Sequence, residues 1–289
     1  YEAVRHRLPD ATFPATSKIV TNLSDLTGQI DVFLLDAFGV LNIGETAIPG
    51  ARERVRALQN GAQTVMVVSN AAGYPKRLLL EKYARLGFDF APADVLTSRE
   101  VLLASLANRA PARYGMMASQ IFGREELDHL DAVFLEENLA VYDSVDAFLM
   151  IGAAEWTETR QLLLETSLRA NPRPVVVGNP DIVAPRETGL SREPGHFAHR
   201  LADATGVSPE FFGKPFANVF EMAMARLPAD TDPAHVVMVG DTLQTDILGG
   251  RVAGLKTALI TDYGARKGMN VANATDLSGI APDFIMPAP

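Results

Sequence analysis

The sequence Asp-Val-Phe-Leu-Leu-Asp-Ala-Phe-Gly-Val-Leu-Asn, residues 31–42, indicates which fold the chain adopts. Its run Val32–Leu35 is apolar without alternation, which is typical of a parallel strand that is buried on both faces. The strand ends at the carboxylate of Asp36, and open α/β sheets bind their ligands at the carboxyl ends of such strands. Asp36 is therefore a candidate site residue, although a carboxylate that only caps the next turn fits the same pattern.

An alternation of strand and helix continues on both sides of this stretch. Residues 64–70 form a second apolar strand pattern that ends in polar residues, and a helix is predicted over 75–87. Residues 235–241 repeat the strand pattern, and a helix is predicted over 246–253. This order of elements is the βαβ rhythm of a parallel sheet.

The middle of the chain predicts a second α/β unit inserted into the first. Short strands are predicted at 112–117, 146–152 and 174–178, and helices at 125–130 and 157–170. The segment 179–196 is rich in proline, glycine and charge, as a hinge or surface loop is. We therefore expect one domain built from residues 1–95 and 190–289, with the inserted unit at 96–189.

The composition limits the functions that this chain can have. It has 289 residues, no cysteine and a formal net charge of −9. The lack of cysteine excludes disulfides, thiolate catalysis and zinc–thiolate sites. The negative charge argues against nucleic acid as a partner, because binding a phosphate backbone needs a basic face. The absence of cysteine also fits a cytoplasmic protein. No apolar run is long enough to span a bilayer and the start lacks a signal-peptide pattern, so we expect no membrane partner.

Polar residues follow all three predicted strands: Asp36 the first, Ser69 and Asn70 the second, and Asp241 the third. Because the carboxyl ends of parallel strands lie on one edge of a sheet, these side chains can converge although they are distant in the sequence. Asp246 begins the helix after the third strand, so two carboxylates can face one site and offer Mg²⁺ the oxygen ligands that it prefers. Asp246 also fits a helix N-cap or first-turn carboxylate, and the sequence leaves both roles open.

Four motifs in this order resemble those of the haloacid dehalogenase (HAD) superfamily. They are Asp36-Ala37-Phe38-Gly39-Val40-Leu41, Ser69-Asn70, Lys214-Pro215 and Gly240-Asp241 with Asp246. Two further segments, Asn179-Pro180-Asp181 and Gly213-Lys214-Pro215, resemble the class IIA, NagD-like branch. This branch includes phosphatases of sugar phosphates, phosphoglycolate, pyridoxal phosphate and nitrophenyl phosphate. The resemblance covers nearly the whole chain and implies an α/β fold, with a Rossmann-like parallel-sheet core and an inserted α/β cap.

The resemblance also implies a reaction, the Mg²⁺-dependent hydrolysis of a small phosphate monoester such as a sugar phosphate. Asp36 would attack phosphorus and form an aspartyl-phosphate. Ser69 and the backbone of Asn70 would donate hydrogen bonds to the transferring phosphoryl group. Lys214 would neutralise charge between Asp36 and the phosphate, because a dianionic ester cannot approach a carboxylate unless cations screen the repulsion.

The metal ligands implied by the resemblance come from two of the motifs. Mg²⁺ would be held by the carboxylates of Asp36 and Asp241 and by the backbone carbonyl of Phe38. Asp246 would be a further ligand or would support the others. The implied partner is a small phosphorylated metabolite, and a homodimer formed through the cap is compatible with the family.

Phe38 departs from the family pattern. Family phosphatases usually carry a second Asp at this position, which serves as general acid and then base. Phenylalanine cannot transfer a proton, and general acid–base catalysis is typically worth about 10²–10⁴-fold. Three interpretations follow: a phosphatase whose proton comes from another source, a binder of a phosphorylated ligand with little turnover, or a dehalogenase-type hydrolase with an aromatic residue at this position. The intact Asp241, Asp246 and Lys214 favour the phosphatase, since haloacid dehalogenases work without a metal.

Three residues outside the four motifs are tentative substrate-site candidates. His196 follows a Pro-Gly turn at the presumed hinge and is the first candidate for a replacement proton donor, although a histidine in such a pattern is more often a solvated surface residue. Asp181 and Arg186 lie on the segment that returns from the cap, where class IIA members contact substrate. A plain surface-loop role is the alternative for both.

Overall fold

The computed structural model describes residues 1–186, 189–264, 267–268 and 270–289, with residues 185–186 described by their backbone alone. Its strands are β1 (Lys18–Ile19), β2 (Val32–Leu35), β3 (Asn42–Ile43), β4 (Thr46–Ala47), β5 (Thr64–Ser69), β6 (Val95–Thr97), β7 (Tyr114–Met117), β8 (Ala132–Phe134), β9 (Ala147–Met150), β10 (Val175–Val177), β11 (Val183–Arg186), β12 (Gly189–Arg192), β13 (Glu210–Phe211), β14 (Val236–Gly240), β15 (Lys256–Ile260) and β16 (Phe284–Met286).

Within these residues, seven parallel strands form the larger sheet, in the order β1-β16-β15-β14-β2-β5-β6. β2 lies between β14 and β5, and Leu35 is opposite Val239 on one side and Val67 on the other. Phe33 and Leu35 pack into the apolar cluster on one face of the sheet, and Leu34 packs into the cluster on the other face. The strand is therefore buried on both faces, as its unbroken apolar run predicts.

Helices connect the strands of both sheets. They are α1 (Ala51–Asn60), α2 (Lys76–Arg85), α3 (Ser98–Leu106), α4 (Leu139–Asp143), α5 (Glu158–Ala170), α6 (Pro194–Thr205), α7 (Ala217–Met224), α8 (Leu248–Val252) and α9 (Val271–Ser278). A π-helical turn, Leu243–Ile247, leads into α8. Short 3-10 turns lie at Glu2–Arg7, Leu23–Leu26, Pro92–Asp94, Gln120–Phe122 and Pro233–His235. In the part of the chain that is described, no helix combines the length and the apolar character needed to cross a membrane.

A smaller parallel sheet has the order β13-β10-β9-β7-β8 among the described residues. Leu164 and Leu168 of α5 and Leu201 of α6 belong to the same apolar cluster as Phe148 of β9, so these two helices cover one face of this sheet. Two antiparallel hairpins, β3–β4 and β11–β12, extend from the sheets. The sequence-based expectation of a mixed α/β fold with a parallel Rossmann-like core is confirmed.

Sheet membership favours domain limits that differ from the predicted 1–95, 96–189 and 190–289. β6 belongs to the larger sheet and contacts α3, and α3 contacts α7. β13, at residues 210–211, belongs to the smaller sheet. We therefore propose a core of residues 1–106 and 212–289 and a cap of residues 107–211. The sequence does not indicate these limits because β6 and β13 are too short to carry a pattern.

The helix predicted over residues 125–130 is not formed, and the chain makes a series of turns there instead. Glu126 has a φ of 66°, which lies in the left-handed region and cannot continue a right-handed helix. Its carboxylate accepts hydrogen bonds from Arg99 Nε at 2.7 Å and from Lys76 N at 3.1 Å. These contacts with α2 and α3 override the local preference for a helix.

Candidate active site

The ends of β2 and β14 bring three carboxylates together. Asp36 follows β2, and its backbone N–H donates to Val239 O at 2.9 Å. One carboxylate oxygen from each of Asp36, Asp241 and Asp246 lies within 4.8 Å of the other two. Asp241 and Asp246 are buried, and Asp36 is partly exposed. Carboxylates buried so close together require nearby positive charge.

Lys214 supplies one such charge. Its Nζ lies 2.8 Å from Asp36 Oδ1 and 2.7 Å from Asp246 Oδ1. The side chain is buried, which by itself would lower the pKa of Lys214, but Asp246 and Asp36 together raise that pKa above its usual value. The lysine is therefore held in its charged form against the nucleophile candidate.

The electrostatics of Asp36 differ from those of an exposed carboxyl group. Burial raises its pKa to about 6, and the Lys214 ammonium acts in the opposite direction. Asp246 also raises the pKa of Asp36, because a second negative charge nearby disfavours ionisation. A further cation beside Asp36 would favour its ionised, nucleophilic form.

Asp246 has a structural and an electrostatic role at once. Its Oδ2 accepts hydrogen bonds from Thr242 N at 3.1 Å and from the Thr245 hydroxyl at 3.4 Å, so it closes the turn after β14. Its Oδ1 accepts from Lys214 Nζ. The role of Asp246 at the start of the helix is therefore seen at Oδ2, and its role as a metal ligand stays a prediction.

Asp241 is enclosed by two glycines with left-handed backbones. Gly39 has a φ of +77°, and a Cβ added there would lie 2.5 Å from Asp241 Cγ. Gly264 has a φ of +73°, and a Cβ there would overlap Asp241 Oδ2. Both positions need glycine for their conformation and for the space that the carboxylate occupies. The sequence gives no sign of Gly264's role, because it lies 23 residues beyond Asp241 and outside the four motifs.

The donor set fits a hard divalent cation. Three carboxylates lie close enough to share one ion, and glycine at positions 39 and 264 leaves the space that the Asp241 carboxylate occupies. Oxygen ligands of this kind suit Mg²⁺, which commonly uses only one or two carboxylates directly and completes its shell with substrate and water. The three carboxylates that the sequence predicts as ligands therefore meet the basic requirement for such a site, and the Phe38 carbonyl stays a predicted ligand.

Asn70 contributes through its side chain as well as its position. Its Oδ1 accepts a hydrogen bond from Lys214 N at 2.7 Å, and its Nδ2 donates to Lys214 O at 2.9 Å. The same Nδ2 donates to Asp181 Oδ1 at 2.8 Å. Sequence reasoning assigned only the backbone of Asn70 and missed these three bonds, which link segments more than 100 residues apart.

A cavity of about 170 Å³ opens onto these groups. Asp36, Phe38, Ser69, Asn70, Asp181 and Lys214 are among the residues that line it. Phe38 also lines a neighbouring cavity of about 370 Å³, whose lining mixes apolar side chains such as Leu78 with charged ones such as Lys82. The structure thus brings the predicted nucleophile, phosphate-binding residues and lysine to one cavity, and it places Phe38 at the boundary with a second one.

The three tentative candidates have different positions. Asp181 lies in the cavity, as described. His196 is half-buried on α6, where its ring packs against Phe197, and it is not among the residues that line the cavity. Burial lowers the pKa of His196, with Arg192 and Arg200 acting in the same direction. The structure therefore does not bring His196 to the reacting groups, and the side chain of Arg186 lies outside the described residues.

Comparison with known proteins agrees with this geometry. Residues 33–131 match the family model of haloacid dehalogenase-like hydrolases, and residues 211–287 match a second model described as HAD-hydrolase-like. An acid sugar phosphatase of Staphylococcus aureus is 28% identical over 232 residues, which are 79% of this chain and 85% of that protein.

Two solved structures are similar over most of the chain. A possible sugar phosphatase of the HAD superfamily from Cytophaga hutchinsonii superposes with a TM-score of 0.82 at 23% identity, covering 94% of this chain and 98% of that one. A glycerol phosphate phosphatase from Mycobacterium tuberculosis, in complex with magnesium, has a TM-score of 0.66 at 25% identity and covers 82% of this chain and 69% of that one.

The fold and the four motifs, now seen at one site, define a hydrolase of the HAD superfamily. The chain belongs to the class IIA, NagD-like branch of that superfamily, as its sequence indicates.

Proposed function

We propose that this enzyme hydrolyses a small phosphate monoester through an aspartyl-phosphate on Asp36, with Mg²⁺ as cofactor. The observation that carries the proposal is the contact between Asp36 Oδ1 and Lys214 Nζ at 2.8 Å, in a cavity that Ser69 and Asn70 also line. A phosphoryl group in this cavity meets a nucleophile, a fixed cation and hydrogen-bond donors together. These are the parts that phosphoryl transfer requires.

The reaction divides between the residues as follows. Asp36 attacks phosphorus while Lys214 balances the charge of the carboxylate and the phosphoryl oxygens. The Ser69 hydroxyl and the backbone of Asn70 orient the phosphoryl group. Mg²⁺, held by Asp36, Asp241, Asp246 and the Phe38 carbonyl, would supply further charge neutralisation when bound. The named relatives support this assignment, since two are sugar or glycerol phosphate phosphatases and one structure contains magnesium.

A third cavity, different from the two described above, supports a sugar phosphate or a similar polar metabolite as substrate. It has a volume of about 420 Å³ and shares Tyr74, Asn179 and Glu193 with the catalytic cavity. Trp156 of the cap also lines it. Aromatic faces beside carboxylates and amides suit a ligand that has both C–H surface and hydroxyl groups. The esterified part of the substrate would lie here, while its phosphate reaches Asp36.

The test is phosphate release from a panel of small phosphate esters. Wild type should release phosphate with Mg²⁺ and lose this activity in EDTA, and Asp36→Asn should lower the rate at least about 10³-fold because no nucleophile remains. Asp128→Asn, at an exposed position of the cap, is the matched control and should retain the rate. Phosphate release that survives Asp36→Asn would contradict the proposal, and halide release that ignores EDTA would favour dehalogenase-type chemistry.

Phe38 favours a second candidate, a binder of a phosphorylated ligand with little turnover. The cavity would still hold phosphate through Lys214 and Ser69, while no carboxylate at position 38 assists the leaving group. A metabolite that raises the melting temperature of wild type without any phosphate release, under conditions where Phe38→Asp does release phosphate, would support this candidate over the enzyme.

A further inference from the structure

We infer that Asp181 takes over the proton transfer that Phe38 cannot perform, so that it protonates the leaving group and then deprotonates the attacking water. This inference rests on the proposed phosphatase function. It addresses a specific need, because an alkoxide leaves phosphorus poorly unless an acid protonates it, whereas a phenolate of low basicity leaves without help. Phe38 lines the cavity but has no ionisable group.

The other carboxyl groups and the lysine in the described lining of the cavity are already engaged. Asp36, Asp241 and Lys214 belong to the nucleophile and cation cluster. Glu193 Oε1 accepts from the Ser191 hydroxyl at 2.6 Å, and its Oε2 accepts from Asn179 Nδ2 at 3.4 Å.

Tyr1 also lines the cavity, but it is a weak acid there. Its hydroxyl accepts from Ile182 N at 3.3 Å, and burial raises its pKa well above the usual value. Among the carboxyl groups in the described lining, Asp181 thus combines two properties. It lies outside the cluster of Asp36, Asp241 and Lys214, and it is hydrogen-bonded to Asn70 of the predicted phosphate site.

Asp181 is held in place from two directions. Its backbone N–H donates to Asn179 Oδ1 at 3.0 Å, and its backbone oxygen accepts from Gly195 N at 3.0 Å, at the start of α6. Its Oδ1 accepts from Asn70 Nδ2 at 2.8 Å, and Asn70 in turn holds Lys214. One amide side chain therefore sets the position of this carboxyl group relative to the lysine that contacts the nucleophile. Such preorganisation is what a proton-transfer group needs.

The electrostatic surroundings are compatible with both roles. Burial raises the pKa of Asp181 to about 7, while the Asn70 hydrogen bond and the charge of Lys214 act in the opposite direction. Asp36 and Glu193 raise the pKa further, and Tyr1 is another titratable neighbour. Near neutral pH both the acid and the carboxylate are accessible, which an acid that later acts as a base requires.

The reaction has two steps, and each conserves atoms and protons. A carboxylate oxygen of Asp36 forms a bond to phosphorus while the bond between phosphorus and the leaving oxygen breaks, and that oxygen takes the proton of Asp181. The carboxylate of Asp181 then takes a proton from water as the water oxygen attacks the aspartyl-phosphate. The bond between phosphorus and Asp36 breaks, which releases inorganic phosphate and restores the Asp36 carboxylate and the protonated Asp181.

The decisive experiment compares two esters that differ in leaving-group basicity, glycerol phosphate and p-nitrophenyl phosphate. We expect Asp181→Asn to lower kcat on the alkyl ester by at least about 10²-fold and on the aryl ester by less than about fivefold. It should also remove the limb of the kcat–pH profile near neutral pH for the alkyl ester. If Asp181 had only a structural role, Asp181→Asn would lower kcat on both esters by similar factors and leave the shape of the kcat–pH profile unchanged.

Two further variants make the result specific. Glu193→Gln, in the lining of the same cavity, should change kcat on both esters by the same factor. Phe38→Asp introduced into Asp181→Asn should restore kcat preferentially on the alkyl ester, because it returns an acid to the position where family phosphatases usually carry one. If Asp181→Asn loses kcat equally on both esters, or loses none on the alkyl ester, the role of Asp181 is overturned while Asp36 remains the nucleophile. If wild type releases phosphate from neither ester, the phosphatase proposal itself fails.

Discussion

Asn70 and Lys214 are joined by two hydrogen bonds between the amide side chain of one residue and the backbone of the other, at 2.7 and 2.9 Å. Both residues are buried. The contact fixes where the lysine chain leaves the backbone, and the Nζ at its far end then reaches Asp36 and Asp246. The position of the Lys214 ammonium therefore depends on a residue of a different motif.

Removal of this contact should cost stability as well as activity. Asn70→Ala leaves Lys214 N and O buried without their partner, and each such group costs about 1–3 kcal/mol. We expect a loss of about 2–5 kcal/mol in the free energy of unfolding, measured by urea denaturation, together with lower phosphate release. Asn108→Ala, at an exposed position two residues after α3, is the control and should cost much less. Equal costs for the two variants would contradict a special role for Asn70.

The charges of Lys214, Asp36 and Asp246 should behave non-additively. Lys214→Met leaves the buried Asp246 and the partly exposed Asp36 without their cation, and breaking a buried pair typically costs about 3–5 kcal/mol. Asp246→Asn in the same chain removes one of the two unpaired charges. The measurement is a double-mutant cycle of unfolding free energies in the presence of EDTA. We expect the double variant to lose less stability than the sum of the losses of the two single variants. Additive losses would indicate that the charges do not interact appreciably.

The space around Asp241 should control metal affinity. Gly39→Ala places a methyl group against Asp241 Cγ and should displace that carboxylate. We expect Mg²⁺ binding, measured by calorimetry, to weaken by about 10–100-fold, as it does when groups that position ligands are disturbed. Gly50→Ala is a matched control, because Gly50 has a similar φ of +81° but no atom within 4 Å of the added Cβ. If both variants bind Mg²⁺ equally well, the steric argument is wrong.

The buried imidazole of His199 should make stability depend on pH. It stacks on Phe211, with ring centroids 5.0 Å apart, and its Nδ1 has no hydrogen-bond partner among the described residues. Burial lowers its pKa to about 4 from the usual 6.5, and Arg7 acts in the same direction. The unfolded chain therefore binds the proton more readily, so the stabilising contribution is complete above pH 6.5 and is lost as the pH falls toward 4.

Between pH 7.5 and pH 5, this linkage should remove about 2 kcal/mol from the free energy of unfolding. His199→Gln should reduce the fall by that amount, measured by urea denaturation at both pH values. His129→Gln, at an exposed position of the cap, should leave the fall unchanged. A pH dependence that is the same in wild type and His199→Gln would exclude His199 as its source.

Local patterns were sufficient to predict the core sheet and the candidates at its edge. The apolar runs of β2, β5 and β14 are contiguous, and the residues that end them are read directly from the chain. The turns at 125–130 could not be predicted in the same way, because the side chain of Arg99 on α3 decides the conformation of Glu126. The domain limits suggested by β6 and β13 depend likewise on pairing with distant strands.

The sequence by itself determined the family, the parallel core and the acidic residues that follow its strands, because each is encoded in a short contiguous segment. Only the tertiary structure decided which groups meet around Asp36. Asn70, Asp181 and Lys214 are joined by hydrogen bonds across 111 and 144 residues, and Gly264 encloses Asp241 from outside every motif. Such contacts depend on how separate segments pack, and residue type and spacing along the chain carry no record of that packing.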